Sequence, residues 1–133
     1  MSKKILTAES VCEGHPDKLC DEISDGILDA CLLVDRYSKC ACEVMATKGN
    51  IYVSGEITCE GTVDYDAEVK KVLERVGYDP SDFRIVTNIH QQSADIHGGV
   101  CKENGDIGAG DQGVVYGYAC DDTNQLLPLP VVL

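Results

Sequence analysis

Two adjacent segments that alternate between apolar and polar residues place the strongest constraint on the fold of this chain. They cover residues 38–47 and 51–60, and only Lys48-Gly49-Asn50 separates them. Alternation with a period of two is typical of strands that bury one face, and a Gly-Asn pair between two strands favours a tight turn. The sequence therefore predicts an antiparallel hairpin with Gly49-Asn50 as a two-residue turn.

That turn predicts a register in which Lys48 pairs with Ile51. One face of the hairpin is then apolar, and its predicted core pairs are Cys40/Cys59, Cys42/Ile57, Val44/Gly55 and Ala46/Val53. On the other face Glu43 lies directly opposite Glu56. Like charges in directly opposed positions destabilise a sheet. We therefore expect a positively charged group beside them, and another domain or subunit covering this face.

The residues around the hairpin predict further helices and strands. Pro16 suits the first position of a helix, and apolar residues follow it at three- and four-residue steps, namely Leu19, Ile23, Ile27, Ala30 and Val34. A second helix is predicted over Tyr65 to Val76, and further strands over 4–11, 83–89 and 114–119. The order β-α-β-β-α-β indicates an α+β domain of two layers, with the helices on one face of the sheet and the other face available for a domain or subunit interface.

Charge and cysteine content narrow the classes of function. The chain has 11 Lys and Arg against 23 Asp and Glu, for a formal net charge of −12, which argues against nucleic acids and anionic membranes as partners. No apolar run approaches the roughly 20 residues of a membrane span, and no signal-peptide pattern opens the sequence, so we expect a cytoplasmic protein. The eight cysteines include no C-x-x-C pair, which favours free thiols packed as small hydrophobes over bridges or metal ligands.

Two short motifs could carry chemistry. In Gly14-His15-Pro16-Asp17-Lys18, the start of a helix could bind phosphate, with His15 donating, Asp17 holding a divalent metal and Lys18 offsetting charge. An ordinary helix cap explains the same spacing equally well. The run from Gly108 to Gly113 fits the G-x-G-x-x-G pattern, but a polar loop precedes it and a predicted strand follows, which contradicts a dinucleotide fold. A turn that places Asp111 beside a ligand is the better interpretation.

Taken together, motifs along the whole chain resemble the N-terminal part of the S-adenosylmethionine synthetase (methionine adenosyltransferase) family. They occur in collinear order and comprise Glu9-Ser10-Val11, Glu13 to Lys18, Ile23-Ser24-Asp25, Leu28-Asp29-Ala30, Ala41-Cys42-Glu43, Gly55 to Thr58, Gln91-Gln92-Ser93, Asp95-Ile96, Gly108 to Gly113, Gly117-Tyr118-Ala119 and Leu127 to Pro130.

The resemblance implies a transferase that forms S-adenosylmethionine, phosphate and pyrophosphate from ATP, methionine and water. It implies that His15 is the catalytic contact to the triphosphate, aided by Lys18 in ATP binding, and that Mg²⁺ and K⁺ are cofactors. Asp17 would ligate magnesium and Glu43 would belong to the potassium site. Methionine would be held by Glu56, Gln92 and Asp111. Residues 94–110 resemble the family's gating loop, including Ala94, Asp95, Gly98, Gly99, Gly105, Gly108 and Gly110.

The resemblance also implies that this chain is incomplete. The family has three similar domains, and we expect residues 1–133 to be the N-terminal domain, with the central and C-terminal domains absent. The full-length protein would be a homodimer or a higher homo-oligomer through the open sheet face. Because the acidic chain cannot cradle a triphosphate alone, we expect the isolated chain to be inactive. Two alternatives stay open: a truncated, non-catalytic ligand-binding or interaction module of the family, and a small acidic metal-binding domain.

Overall fold

A computed structural model describes residues 5–91 and 113–133 of the chain. The chain divides into two compact units. The larger unit comprises Cys12–Gly110, and the smaller one combines Met1–Val11 with Asp111–Leu133.

The larger unit contains both predicted long helices. Helix α1 runs over Pro16–Val34 and helix α2 over Tyr65–Val76. Pro16 occupies the first turn of α1. Proline suits this position because a backbone N–H there would have no partner within the helix. Gly77 ends α2 in the left-handed conformation, with φ of 99°, which glycine adopts without steric cost. Both predicted helices are confirmed.

Three strands form one mixed sheet in the order β1-β2-β3. Strand β1 spans Lys39–Thr47, β2 spans Asn50–Thr58 and β3 spans Arg84–His90. Strands β1 and β2 form the antiparallel hairpin, whereas β2 and β3 are parallel. A parallel pair needs a crossover connection, and α2, followed by a short 3₁₀ turn at Pro80–Asp82, provides it. The α+β fold class is therefore confirmed.

The predicted hairpin register is wrong by two residues. Thr47 pairs with Asn50, so that Lys48 and Gly49 form the turn, and Gly49 alone at the turn has a positive φ, of 70°. Because side chains alternate with a period of two, this shift keeps every residue on its predicted face but changes its partner. Glu43 therefore lies opposite Ser54, and Glu56 lies opposite Ala41.

The core of the larger unit lies between the helices and one face of the sheet. Its fully buried side chains come from α1, α2 and β2, and include Ile23, Ile27, Leu73, Val69, Ile51 and Val53. The apolar stripe of α1 ends one turn earlier than predicted, because Cys31 is buried whereas Val34 is 49% exposed. None of the polar or charged side chains described by the structure is buried.

In the described residues of the smaller unit, 5–11 and 113–133, a short helix, α3, covers Leu129–Val132. The predicted strands at 4–11 and 114–119 are wrong for the described residues, since neither 5–11 nor 114–119 forms a strand. Their apolar side chains stay exposed, as Ile5 and Val115 show at 86% and 97%. A strand is held by hydrogen bonds to a neighbouring strand, and the described residues offer these segments none.

Among the residues that the structure describes, no helix is long and apolar enough to cross a membrane.

Candidate functional site

The first candidate group lies at the N-terminus of α1. His15 is the N-cap residue, and its side-chain Nδ1 accepts a hydrogen bond from the Asp17 N–H at 3.2 Å. A neutral imidazole with Nδ1 as acceptor carries its proton on Nε2. His15 is exposed, so Nε2 can donate to a ligand in front of the helix. The ordinary capping role and the phosphate-binding role are therefore compatible, because they use different ring nitrogens.

The loop that carries His15 is held by a side chain that belongs to none of the sequence motifs. The Tyr78 hydroxyl donates to the Gly14 carbonyl oxygen at 2.9 Å. Tyr78 in turn packs edge-on against Phe83, with ring centroids 5.5 Å apart. A Cβ on Gly14 would lie 3.0 Å from the Tyr78 hydroxyl oxygen, so glycine permits this close approach. Tyr78 lies 64 residues away in the sequence, and no local pattern predicts the contact.

The second candidate group lies on the open face of the sheet, which we define as the face away from α1 and α2. Glu43 and Glu56 are both exposed on this face, as predicted, but they are diagonal rather than direct neighbours because of the corrected register. Diagonal positions lie farther apart than opposed ones. The predicted direct repulsion between the two carboxylates is therefore wrong.

The parallel strand β3 places His90 directly opposite Glu56. Asn88 lies opposite Ser54 on the same face, and Ser54 is in turn opposite Glu43. The sequence predicts a positive group near the glutamates, but it gives no indication that His90 is the residue opposite Glu56. The sequence around His90 does not indicate which residue lies opposite it. The pairing of β2 with β3 depends on how the connecting helix α2 packs on the sheet.

The two candidate groups do not meet in one pocket within the larger unit. His15, Asp17 and the half-buried Lys18 belong to the helical layer, whereas Glu43 and Glu56 project from the opposite side of the sheet. Gln92, Asp111 and the predicted gating loop, residues 94–110, lie outside the described residues. The structure therefore leaves the roles predicted for them untested.

The described residues contain no group of three or more His, Cys, Asp or Glu side chains arranged to hold a metal ion. Asp17 and Glu43 each offer a single exposed carboxylate. Such a group can bind a cation whose remaining ligands are water and a substrate, as is common for magnesium.

Comparison with protein-family models decides the family. Residues 3–97 match the model described as "S-adenosylmethionine synthetase, N-terminal domain". The chain belongs to the S-adenosylmethionine synthetase family. Residues 106–133 match the model of the family's central domain. The sequence predicts that the N-terminal domain extends over residues 1–133. The matches to two domain models do not test that extent, which stays a prediction.

Curated relatives agree with that family. The chain is 47% identical over 131 residues to the S-adenosylmethionine synthase of Mycoplasmopsis pulmonis (strain UAB CTIP), covering 98% of this chain and 35% of the relative. It is 41% identical over 148 residues to the enzymes of that name from Prochlorococcus marinus strains NATL2A and NATL1A, covering 100% of this chain and 36% of each relative. The chain thus spans about a third of the length of these relatives.

Proposed function

We propose that this chain supplies part of the active site of a methionine adenosyltransferase, which forms S-adenosylmethionine, phosphate and pyrophosphate from ATP, methionine and water. The observation that carries the proposal is the arrangement at His15, in a chain that belongs to the family. Its Nδ1 caps α1, which orients the ring and directs the Nε2 proton outward. A ring held in this way is prepared to donate to an anionic ligand without further ordering.

In the proposed reaction, the methionine sulfur attacks C5′ of ATP, and the bond from C5′ to the triphosphate oxygen breaks. Negative charge then develops on the leaving triphosphate. His15 Nε2 donates to an oxygen near C5′, and the free N–H groups of the first turn of α1 add a favourable electrostatic field. Donors aimed at developing charge lower the barrier because they need no reorganisation. Lys18, in the same turn, offsets further charge.

The proposed cofactors are Mg²⁺ and K⁺. Asp17 would hold magnesium and Glu43 potassium, each through one exposed carboxylate. Bound beside the triphosphate, a divalent cation neutralises charge on the phosphate oxygens. A single protein carboxylate suits this task, because magnesium usually keeps several waters and phosphate oxygens as ligands.

The proposed methionine site is built around Glu56, whose carboxylate would pair with the substrate ammonium group, and around Gln92 and Asp111. Residues 94–110 would close over the bound substrates. His90, opposite Glu56, is then a neighbour of this site on the open face.

The proposed enzyme is completed by chain outside these 133 residues. The location of His15 at the start of α1, and of Glu43 and Glu56 on the open face of the sheet, supports a site shared between copies, with a homodimer or higher homo-oligomer formed through the open face. The formal net charge of −12 supports a requirement for cations from elsewhere to bind a triphosphate. A cytoplasmic location stays a prediction.

The test compares the 133-residue chain with a full-length protein that carries it as its N-terminal third. Each is given ATP, methionine, magnesium and potassium, and S-adenosylmethionine is quantified by mass spectrometry. We expect synthesis by the full-length protein alone, and a fall in its kcat of about 100-fold or more in His15→Ala, the range for loss of one such donor. Asp29→Asn, on the solvated side of α1, is the matched control. Turnover by the isolated chain would refute the shared site, and ATP binding without turnover by the full-length protein would favour the non-catalytic module.

Two further variants of the full-length protein test the roles on the open face. Glu43→Ala should weaken activation by potassium, whereas Glu56→Ala should mainly raise the KM for methionine. The responses are measured as initial rates across both concentrations. Normal responses of both variants to both ligands would remove these two assignments while leaving the role of His15 intact.

A further inference from the structure

Three cysteines meet where the end of α1 approaches the hairpin. Cys31 lies in the last turns of α1 and is completely buried. Cys40 lies near the start of β1, and Cys59 lies one residue beyond β2. Because Cys40 pairs with Ile57, Cys59 is two residues along from the partner of Cys40 and shares its face. We call these three residues the thiol cluster.

Contacts within the thiol cluster centre on Cys31. The Cys59 thiol donates to the Cys31 carbonyl oxygen with its Sγ 3.7 Å away. The side chains of Cys40 and Cys59 both pack against the core cluster that contains Cys31, and both thiols lie near enough to affect the pKa of the Cys31 thiol. All three cysteines are free thiols. Packing as small hydrophobes explains their burial, but it does not require three cysteines from three different segments to pack at one place.

Accessibility differs within the cluster in a way that suits stepwise chemistry. Cys40 and Cys59 are half-buried, whereas Cys31 is shielded behind them. A small oxidant therefore reaches the outer thiols first, and Cys31 is the neighbour in place to react next.

We propose that the thiol cluster is a thiol–disulfide exchange site, in which a small-molecule disulfide such as glutathione disulfide converts Cys31 and one outer cysteine into an internal disulfide. In the first step, the thiolate of Cys40 or Cys59 attacks one sulfur of the small disulfide, which forms a mixed disulfide and releases one small thiol. In the second step, the Cys31 thiolate attacks the protein sulfur of the mixed disulfide and releases the second small thiol. Two protein thiols are thereby oxidised, and one small disulfide is reduced to two thiols.

The ionisation behaviour of the cluster sets the order and the pH dependence of these steps. Burial, followed by the proximity of Cys40 and Cys59, raises the pKa of Cys31 to about 12. Burial also raises the pKa of Cys40, while the hydrogen bond from Cys31 partly offsets that rise. Because the thiolate is the nucleophile, the outer thiol reacts before Cys31. The bridge should form about tenfold faster for each added pH unit below these pKa values.

The bridge would join the end of α1 to the hairpin at a place where hydrogen bonds already connect the two segments. The Asp35 carboxylate accepts from the Glu60 backbone N–H at 3.1 Å, and the Ser38 hydroxyl donates to the Cys31 carbonyl oxygen at 3.1 Å. These contacts hold the cysteine-bearing segments in place. Oxidation is therefore expected to raise the Tm of the chain, because it restricts the unfolded state while the segments are already close in the folded one.

The test exposes the 133-residue chain, with circular dichroism confirming its fold, to glutathione disulfide at pH 7.5 and 8.5. Intact mass should show the loss of two hydrogen atoms, and cleavage before aspartates and after basic residues separates Cys31 from Cys20 and Cys40 from Cys59. We expect a bridged peptide that contains Cys31, formed roughly tenfold faster at the higher pH. A bridge without Cys31, or glutathione adducts alone, would overturn the proposal.

Single substitutions then identify the partner. Cys31→Ala should abolish the bridge and leave a stable mixed disulfide on an outer cysteine, whereas whichever of Cys40→Ala and Cys59→Ala removes the bridge names the partner. Cys12→Ala, at an exposed cysteine outside the cluster, is the matched control and should leave the bridge unchanged. Since mapping of the unsubstituted chain already tests the pairing, the proposal stays falsifiable if a core variant fails to fold.

Discussion

The carboxylate of Asp35 joins the end of α1 to the segment that follows β2. One oxygen accepts from the Tyr37 backbone N–H at 2.8 Å, and the other from the Glu60 N–H at 3.1 Å. These two hydrogen bonds lower the pKa of Asp35, because they stabilise its charged form. A single half-buried residue thus connects two elements that are adjacent in space but distant in the sequence.

We expect Asp35→Ala to lower the Tm at neutral pH, with little change for Asp29→Ala as the control. Because the pKa of Asp35 is lower in the folded than in the unfolded chain, its contribution is fully present above the unfolded value, near pH 4. That contribution is lost as pH falls through the folded value. Thermal melts from pH 7 down to pH 3 should therefore show the difference between wild type and Asp35→Ala shrinking. A constant difference would contradict the linkage.

Gly55 tests the effect of a close backbone approach next to Glu56. Its φ is 151°, and an added Cβ would overlap the Ala41 carbonyl oxygen and lie 3.1 Å from the Cys42 Cα. Both obstacles are backbone atoms of the paired strand β1, which cannot rotate away.

We expect Gly55→Ala to lower the free energy of unfolding by about 3 kcal/mol or more, since it adds a steric overlap to a strained φ. Gly77→Ala is the control, because Gly77 also has a positive φ, of 99°, but nothing lies within 4 Å of its added Cβ. It should cost only about 1 kcal/mol. Urea unfolding of both variants measures the difference, and equal losses would show that the approach of β1 is unimportant.

At the scale of elements, α1 contributes stability through one stripe of side chains. Leu19, Ile23, Ile27 and Cys31 follow each other by four residues, and each is at most 3% exposed. The opposite side of the helix carries acidic residues and exposed leucines. One side of α1 therefore packs in the core, and the other side faces solvent.

We expect Ile27→Ala to cost about 2–5 kcal/mol, because it removes a fully buried side chain and leaves a cavity. Leu33→Ala removes as many carbon atoms from the same helix, but Leu33 is 88% exposed, and the change should stay within about 0.5 kcal/mol. Urea unfolding measures the change in the free energy of unfolding for each variant, provided that the m-value is the same as in the wild type. A similar loss in the two variants would mean that the packing of α1 on the sheet is not what stabilises the helix.

At the scale of the whole molecule, excess negative charge opposes compactness. The formal net charge is −12 in 133 residues, and salt bridges such as Lys71 with Glu68 and Arg75 with Glu22 leave most of the acidic excess in place. Self-repulsion of this kind destabilises the compact state and is weakened by salt.

We expect the Tm of the isolated chain to rise by a few degrees when salt is increased from about 20 to about 500 mM. At the higher concentration the salt screens the repulsion between exposed carboxylates over all but the shortest distances. Sodium chloride and potassium chloride should act equally if general screening is responsible. A rise confined to potassium would instead indicate a specific site in the isolated chain. A fall in Tm with both salts would contradict the role of net charge.

The open face of the sheet is the other feature that belongs to the whole molecule. It exposes Met45 and Tyr52 beside Glu43 and Glu56, with Met45 60% and Tyr52 40% exposed. The chain spans about a third of the length of the curated relatives it matches, and the proposed shared site places chain from outside the 133 residues on this face. The full-length protein is therefore the form in which the roles of the open face can be measured.

The helices and the faces of the strands follow from the sequence alone. Pro16 begins α1 and Gly77 ends α2 because of their own backbone preferences. The spacing of apolar residues, near 3.6 in the helices and 2 in the strands, decides which side chains face the core. These are local properties, which need no knowledge of distant contacts. The prediction that His15 lies at a helix N-terminus was confirmed for the same reason.

Only the tertiary structure decided which residues became partners. The hairpin turn moved to Lys48-Gly49 without changing any face, because a shift of two residues preserves the alternation of a strand. His90 reached Glu56, and Tyr78 reached Gly14, through packing of elements far apart in the sequence. Residues 5–11 and 114–119 have strand-like patterns but form no strand, because a strand exists only where another supplies hydrogen bonds along its edge.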